Sequence, residues 1–107
     1  MPLDIVITDS HDKPERIVLL WEGEYEFIMR KLETQENFVL LKESLSDYYG
    51  VAEIYLNQLE SLKSEVENFR LAFEPSFTST LNEFVSDFLV LINQAITTRR
   101  TIKFVGD

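Results

Sequence analysis

The strongest periodic signal in the chain lies between residues 77 and 96. Phe77, Leu81, Phe84, Val85, Phe88, Leu91, Ile92, Ala95 and Ile96 recur at intervals of three and four, the spacing that gathers side chains on one face of an α-helix. The run Phe88 to Ile92 then carries apolar surface round most of that helix, and such a helix needs cover on more than one side. Asn82, Glu83, Asp87 and Asn93 interrupt the pattern, which leaves it too short and too polar for a membrane span. The pattern therefore predicts the central helix of a small domain.

Its neighbours follow from the same kind of reading. Leu3 to Thr8 alternates and is rich in β-branched residues, the mark of a strand. Residues 9–14 are turn chemistry, with Asp and Ser bonding their own backbone and Pro14 fixing φ. Arg16 to Trp21 predicts a second strand. The two strands make an antiparallel hairpin, with Leu3, Ile5 and Ile7 facing the core beside either Ile17, Leu19 and Trp21 or the opposite set. Tyr25, Ile28, Met29 and Leu32 have helical spacing and predict a short helix to about Glu33. Residues 36–49 match both periods, and a short helix from Phe38 is the preferred reading. Beyond Gly50, Ala52, Tyr55, Leu59, Leu62, Val66, Phe69 and Phe73 form a stripe for a long helix, which Pro75 interrupts. Thr80-Leu-Asn-Glu83 matches a capping box for the last helix. The short connection makes the two long helices an antiparallel pair. Residues 101–105 predict a third strand.

The expected architecture is one α+β domain over residues 1–107. A three-stranded sheet, made of the N-terminal hairpin and the C-terminal strand, is covered on one face by the helical pair and one or two short helices.

Composition narrows the function. The chain has 107 residues, 45% of them hydrophobic, and 13 aromatics, enough for one modest core and too apolar for disorder. It has no cysteine, which excludes disulfides, thiolate catalysis and sulfur-ligated zinc and fits a reducing compartment. No basic flank precedes an apolar segment at the N-terminus, so no signal peptide is predicted and the protein reads as cytoplasmic. The net charge is −9, from 19 acidic and 10 basic residues. Phosphate binding needs concentrated basic surface, so nucleic acid is not an expected partner, nor is a membrane. The plain reading of the charge is solubility; the sharper one is a negative face that steers a basic protein partner. With three glycines and one histidine, the chain contains no P-loop, dinucleotide fingerprint, nucleophile elbow or zincin pair. No cofactor is expected.

Asp47-Tyr48-Tyr49-Gly50 is followed by Gln58, Leu62, Glu65, Val66 and Phe69, and the chain closes on Ile102-Lys103-Phe104-Val105-Gly106-Asp107. Over roughly the C-terminal half, this resembles a group of small uncharacterised bacterial α+β proteins with a Tyr-Gly turn, a Gln-x3-Leu-x2-Glu helix and a closing strand ending Phe-x-Gly-Asp. That group has no assigned function, so the resemblance implies no mechanism. In size and charge the chain also looks like the immunity proteins that block bacterial toxins.

Four constellations offer chemistry. Asp9, His11 and Asp12, with Glu15 nearby, combine carboxylate and imidazole donors that suit a divalent metal, although an ordinary solvated turn explains them as well. Glu53, Glu60 and Glu67 lie seven apart, close to one line on a helix and flanking its apolar stripe. The reading is either a solvated face or a carboxylate rim for a basic groove. Tyr48 and Tyr49 sit beside Gly50 in a predicted turn and are the best exposed anchors among Trp21, Tyr25, Phe38 and Tyr55. Gly106-Asp107 offers a carboxylate at a strand end, where fraying is the ordinary outcome. Together these predict a non-catalytic protein-binding module. Its concrete form is an immunity- or antitoxin-like inhibitor, with Glu53, Glu60 and Glu67 occluding a basic site and Tyr48 and Tyr49 as anchors. The alternatives are a homo-oligomer, such as a homodimer closed over residues 81–96 and an open sheet edge, and a small metal-dependent enzyme built on Asp9, His11 and Asp12.

Overall fold

Residues 2–8, 11, 13–46, 48 and 50–106 are described in a computed structural model of the chain. Strand β1 (Leu3–Thr8) pairs antiparallel with β2 (Pro14–Leu20) in the register Leu3↔Leu20, Ile5↔Val18 and Ile7↔Arg16, with a bulge between Ile7 and Thr8. Of the two sets left open by the sequence, the second faces inward. Val18 and Leu20 join Leu3, Ile5 and Ile7 in the core, and Ile17, Leu19 and Trp21 remain exposed. The side-chain period of a strand is two, so this one-residue choice decides which half of the hairpin is buried.

The sheet has four strands, not three, in the order β2-β1-β4-β3. The additional strand is β3 (Val51–Ile54), taken from the start of the predicted long helix. It pairs antiparallel with β4 (Ile102–Val105), and Gly106 N–H donates to the Gly50 carbonyl at 2.8 Å to extend the ladder. Val51-Ala-Glu-Ile54 satisfies a strand's alternation. Ile54 is 4% exposed, whereas Tyr55, which the helical stripe required to be buried, is 56% exposed. β4 also pairs antiparallel with β1. Every strand contact in the sheet is therefore antiparallel.

Helix α1 spans Glu22–Leu32, and α2, the short helix preferred for the ambiguous stretch, spans Val39–Ser44. A 3-10 turn at Leu56–Gln58 leads into α3 (Leu59–Phe73), and a second at Glu74–Ser76 turns the chain into α4 (Ser79–Thr98). Arg70 Nη2 donates to Ser86 Oγ across the α3/α4 pair at 2.8 Å. The N-cap of α4 is Thr78, whose Oγ1 accepts from Leu81 N–H at 3.1 Å. The predicted Thr80–Glu83 box lies inside the helix, because Thr78 already holds the extended φ/ψ of a cap and satisfies an orphan donor of the first turn.

The helices and one face of the sheet share a single apolar core. Within α4, Leu81, Phe84, Val85, Phe88, Leu91, Ile92 and Ala95 are buried, and Phe88 meets Phe104 of β4 edge-on at 6.0 Å. Val90 alone in the Phe88–Ile92 run is exposed. The apolar surplus of α4 is therefore absorbed within the chain. No helix among the described residues is long and apolar enough to cross a membrane.

Helix α4 stops by reversing its last turn. Arg100 N–H donates to the Ala95 carbonyl at 3.0 Å and Arg99 N–H to that of Ile96 at 3.3 Å, the paired bonds of a Schellman motif. This puts Arg99 at φ 57°, the one described residue with positive φ, where a Cβ is sterically costly. Arg99→Gly is expected to stabilise the protein by about 0.5–1 kcal/mol, since relief of that cost is partly offset by the greater freedom of the unfolded glycine. Urea unfolding checks it. An unchanged or lower midpoint would show that the left-handed turn carries no strain.

Candidate functional site

The residues singled out from the sequence do not assemble into one site. Tyr48 is not an exposed anchor. It is 8% exposed, its ring stacks on Tyr25 at 4.5 Å between centroids, and its hydroxyl donates to the Leu20 carbonyl at 3.1 Å. It ties the loop before β3 to the end of β2, and a buried tyrosine needs such a partner for its hydroxyl. Phe38 is buried as well, whereas Trp21 and Tyr55 are exposed. Tyr49, Asp9, Asp12 and Asp107 lie outside the described residues. His11 is exposed, and no group of three or more His, Cys, Asp or Glu among the described residues is placed to hold a metal ion.

The acidic rim is also divided. Glu60 and Glu67 are exposed on α3, but Glu53 stands on the outer face of β3, and its Oε2 accepts from Thr101 Oγ1 at 2.9 Å. The helical spacing that aligned all three ends where the strand begins.

Several described residues that carried the family resemblance are scaffold. Gln58 Oε1 accepts from Tyr55 N–H at 3.1 Å. Leu62, Val66 and Phe69 are buried. Glu65 reaches from α3 to the start of α2 and accepts from Leu40 N–H at 3.1 Å and Leu41 N–H at 2.8 Å. Phe38, at the N-cap of α2, provides no side-chain cap; a carboxylate from another helix fills the vacant acceptor position.

The arrangement best suited to recognition was not singled out in the sequence. Where β2 hands over to α1, beside the first half of α4, an open groove of about 160 Å³ has Leu19, Leu20, Trp21 and Phe84 along its apolar lining. Three carboxylates share that lining: Glu24 from α1, and Glu83 and Asp87 one turn apart on α4. None of the three takes part in an ion pair among the described residues. Glu83 and Asp87 are a like-charge pair at i,i+4, mildly unfavourable in an isolated helix by about 0.2–0.5 kcal/mol. Trp21, the chain's only tryptophan, is 52% exposed here at the N-cap of α1.

Other depressions are larger but lack this imbalance. One of about 430 Å³ sets Glu26 and Glu33 against Arg30 and Lys42. A space of about 10 Å³ between the helices is too small for a ligand. One sequence signal did foreshadow the groove: no basic residue occurs from Leu71 to Thr98, so α4 has no cation of its own to neutralise Glu83 and Asp87. Compared with protein-family models, with curated proteins and with solved structures, the chain matches none.

Proposed function

We propose that this chain is a non-catalytic protein-binding module that receives a basic segment of a protein partner in the groove beside Trp21. In its concrete form it is an inhibitor of the immunity or antitoxin type, occluding a basic site on the partner. One observation supports this most: an exposed tryptophan beside three carboxylates that have no ion-pair partner among the described residues. A lysine or arginine laid in the groove would gain three things at once. Its aliphatic stem would cover Leu19, its charge would be neutralised by Glu83 and Asp87, and its head could lie over the indole face, where cation–π attraction contributes roughly 0.5–2 kcal/mol. The net charge of −9 would speed the approach of such a partner and make it salt-sensitive.

The single tryptophan is its own reporter. Titration with a short arginine- and lysine-rich peptide is expected to shift Trp21 emission saturably, with affinity falling as salt rises. The same peptide with glutamates in place of the basic residues is expected to leave it unchanged. The double variant Glu83→Gln, Asp87→Asn should weaken binding roughly tenfold or more, about 1.4 kcal/mol, while leaving stability unchanged or a few tenths of a kcal/mol higher. Equal responses to the basic and acidic peptides, or full binding by the double variant, would sink the reading.

A further inference from the structure

The groove beside Trp21 adjoins a second depression, of about 330 Å³, lined by Gly23, Glu24, Phe27, Arg30, Thr78 and Leu81. Glu24 borders both. The same two helices wall both, α1 on one side and the first half of α4 on the other. Trp21 and Asp87 stand at one end of this joint valley, Arg30 and Thr78 at the other. Trp21 to Arg30 is nine residues along the chain, as is Thr78 to Asp87, so each wall is about 13 Å long.

The two ends differ in charge. Glu24, Glu83 and Asp87 gather at the Trp21 end, and Arg30 holds the other. Arg30 also borders the depression that contains Glu26 and Glu33, yet it forms an ion pair with neither. Gly23 lies between the ends, exposed on α1. Its φ is not positive, so the backbone does not demand glycine. A Cβ built there would meet no heavy atom within 4 Å, so packing does not demand it either, and most other residues would serve a helix better. What the missing side chain leaves is a clear passage along the valley wall, where a second backbone can come close.

From this we infer that the partner's basic segment binds as an extended strand along the whole valley, with its arginine or lysine at the Trp21 end and an aspartate or glutamate four residues away at Arg30. The inference rests on the basic-partner reading and adds to it the length, conformation and second charge of the segment. An extended chain advances roughly 3.3 Å per residue, so about 13 Å is four residues. Side chains four apart in a strand face the same way, whereas those three apart do not. A small apolar residue midway lies over Phe27 and Leu81, and the segment's backbone passes Gly23.

Trp21 emission tests it with short probes. One is acetyl-arginine amide, which reaches only the Trp21 end. The others are a peptide containing Arg-Ala-Val-Ala-Glu, its reverse, and both with glutamine in place of glutamate. The chain carries −9, so an added glutamate weakens binding unless Arg30 receives it. In one of the two directions the glutamate peptide is expected to bind roughly two- to fivefold tighter than its glutamine counterpart, the worth of an exposed ion pair, and Arg30→Gln should abolish that gain. Gly23→Val, whose branched side chain is stiff in a helix, should weaken the peptide roughly fivefold or more by blocking the passage. It should leave acetyl-arginine amide unaffected and the urea midpoint unchanged or higher. If glutamate weakens binding in both directions, if Arg30→Gln keeps the gain, or if Gly23→Val binds the peptide as the parent does, the inference is overturned while the groove reading stands. If no arginine probe moves Trp21 emission, both fall together.

Discussion

Phe69→Ala is expected to cost about 3–5 kcal/mol, the range for a large aromatic removed from a packed core. Phe69 is 2% exposed on α3 and contacts three other rings. It stacks on Phe77 at 5.8 Å, lies 5.0 Å from Phe73, and meets Phe38 edge-on at 5.9 Å. Those rings belong to α3, to the turn into α4 and to the N-cap of α2, so one side chain ties three helical elements together. Aromatic pairs in such arrangements contribute about 0.5–1.5 kcal/mol each beyond their buried area. In a domain with roughly 5–15 kcal/mol of stability, this loss approaches the whole. Phe69→Leu keeps most of the volume and is expected to remain folded with a smaller deficit. Phe73→Ala, at a half-buried position, should cost distinctly less than Phe69→Ala. Urea unfolding of the three variants is the check. Similar losses at 69 and 73 would remove Phe69 from the centre of the helical layer.

Glu65→Ala is expected to cost about 2 kcal/mol. The two N–H groups that Glu65 accepts belong to the first turn of α2, where no intrahelical acceptor exists, and hydrogen bonds to an ionised acceptor are worth about 1.5–3 kcal/mol each before solvent exposure is discounted. Glu65 is only partly buried, which sets the estimate toward the lower end of that range. Removal of the carboxylate leaves Leu40 and Leu41 N–H in a part-buried position without a partner. Glu65→Gln retains an acceptor and should lose about half as much. Glu67→Ala, two residues on and exposed, should fall within about 0.5 kcal/mol of the parent. Amide exchange adds a local readout, because Leu40 and Leu41 should lose protection in Glu65→Ala before the rest of the core does. A Glu65→Ala protein as stable as the parent would show that the cap is replaceable by water.

The groove holds unneutralised charge at the junction of β2, α1 and α4, which suits a partner of opposite sign. Leu19 lines the groove and also lies in the outward row of the sheet. For that reason the substitutions that test the groove are those of Glu83 and Asp87.

Long periodic segments were legible without coordinates. The stripe from Leu81 to Ala95 predicted α4 and its buried residues, and Leu59 to Phe69 predicted the core face of α3. Each stripe repeats over several turns, and no other period fits it. Leu3 to Thr8 and Ile102 to Val105 were legible as strands because alternation and β-branching agreed. The α+β class with helices on one face followed from these alone.

What failed was short or relational. Four residues, Val51 to Ile54, satisfy both a strand's period and the start of a helical stripe, and only the pairing of Ala52 with Phe104 and Ile54 with Ile102 decides between them. That decision moved Glu53 off the helix and dissolved the predicted rim. Tyr48 beside Gly50 had the local chemistry of an exposed turn, yet the carbonyl of Leu20 and the ring of Tyr25, both distant in sequence, drew it into the core. Which half of the hairpin faces water turned on a register that both halves permit.

By itself, then, the sequence determined the class of the fold, its two long helices and its acidity, because those depend on period and composition. Tertiary structure alone decided the fourth strand, the exposed half of the sheet and the meeting of Trp21 with Glu24, Glu83 and Asp87. Each of these depends on which distant segment packs against which, and no local pattern carries that information.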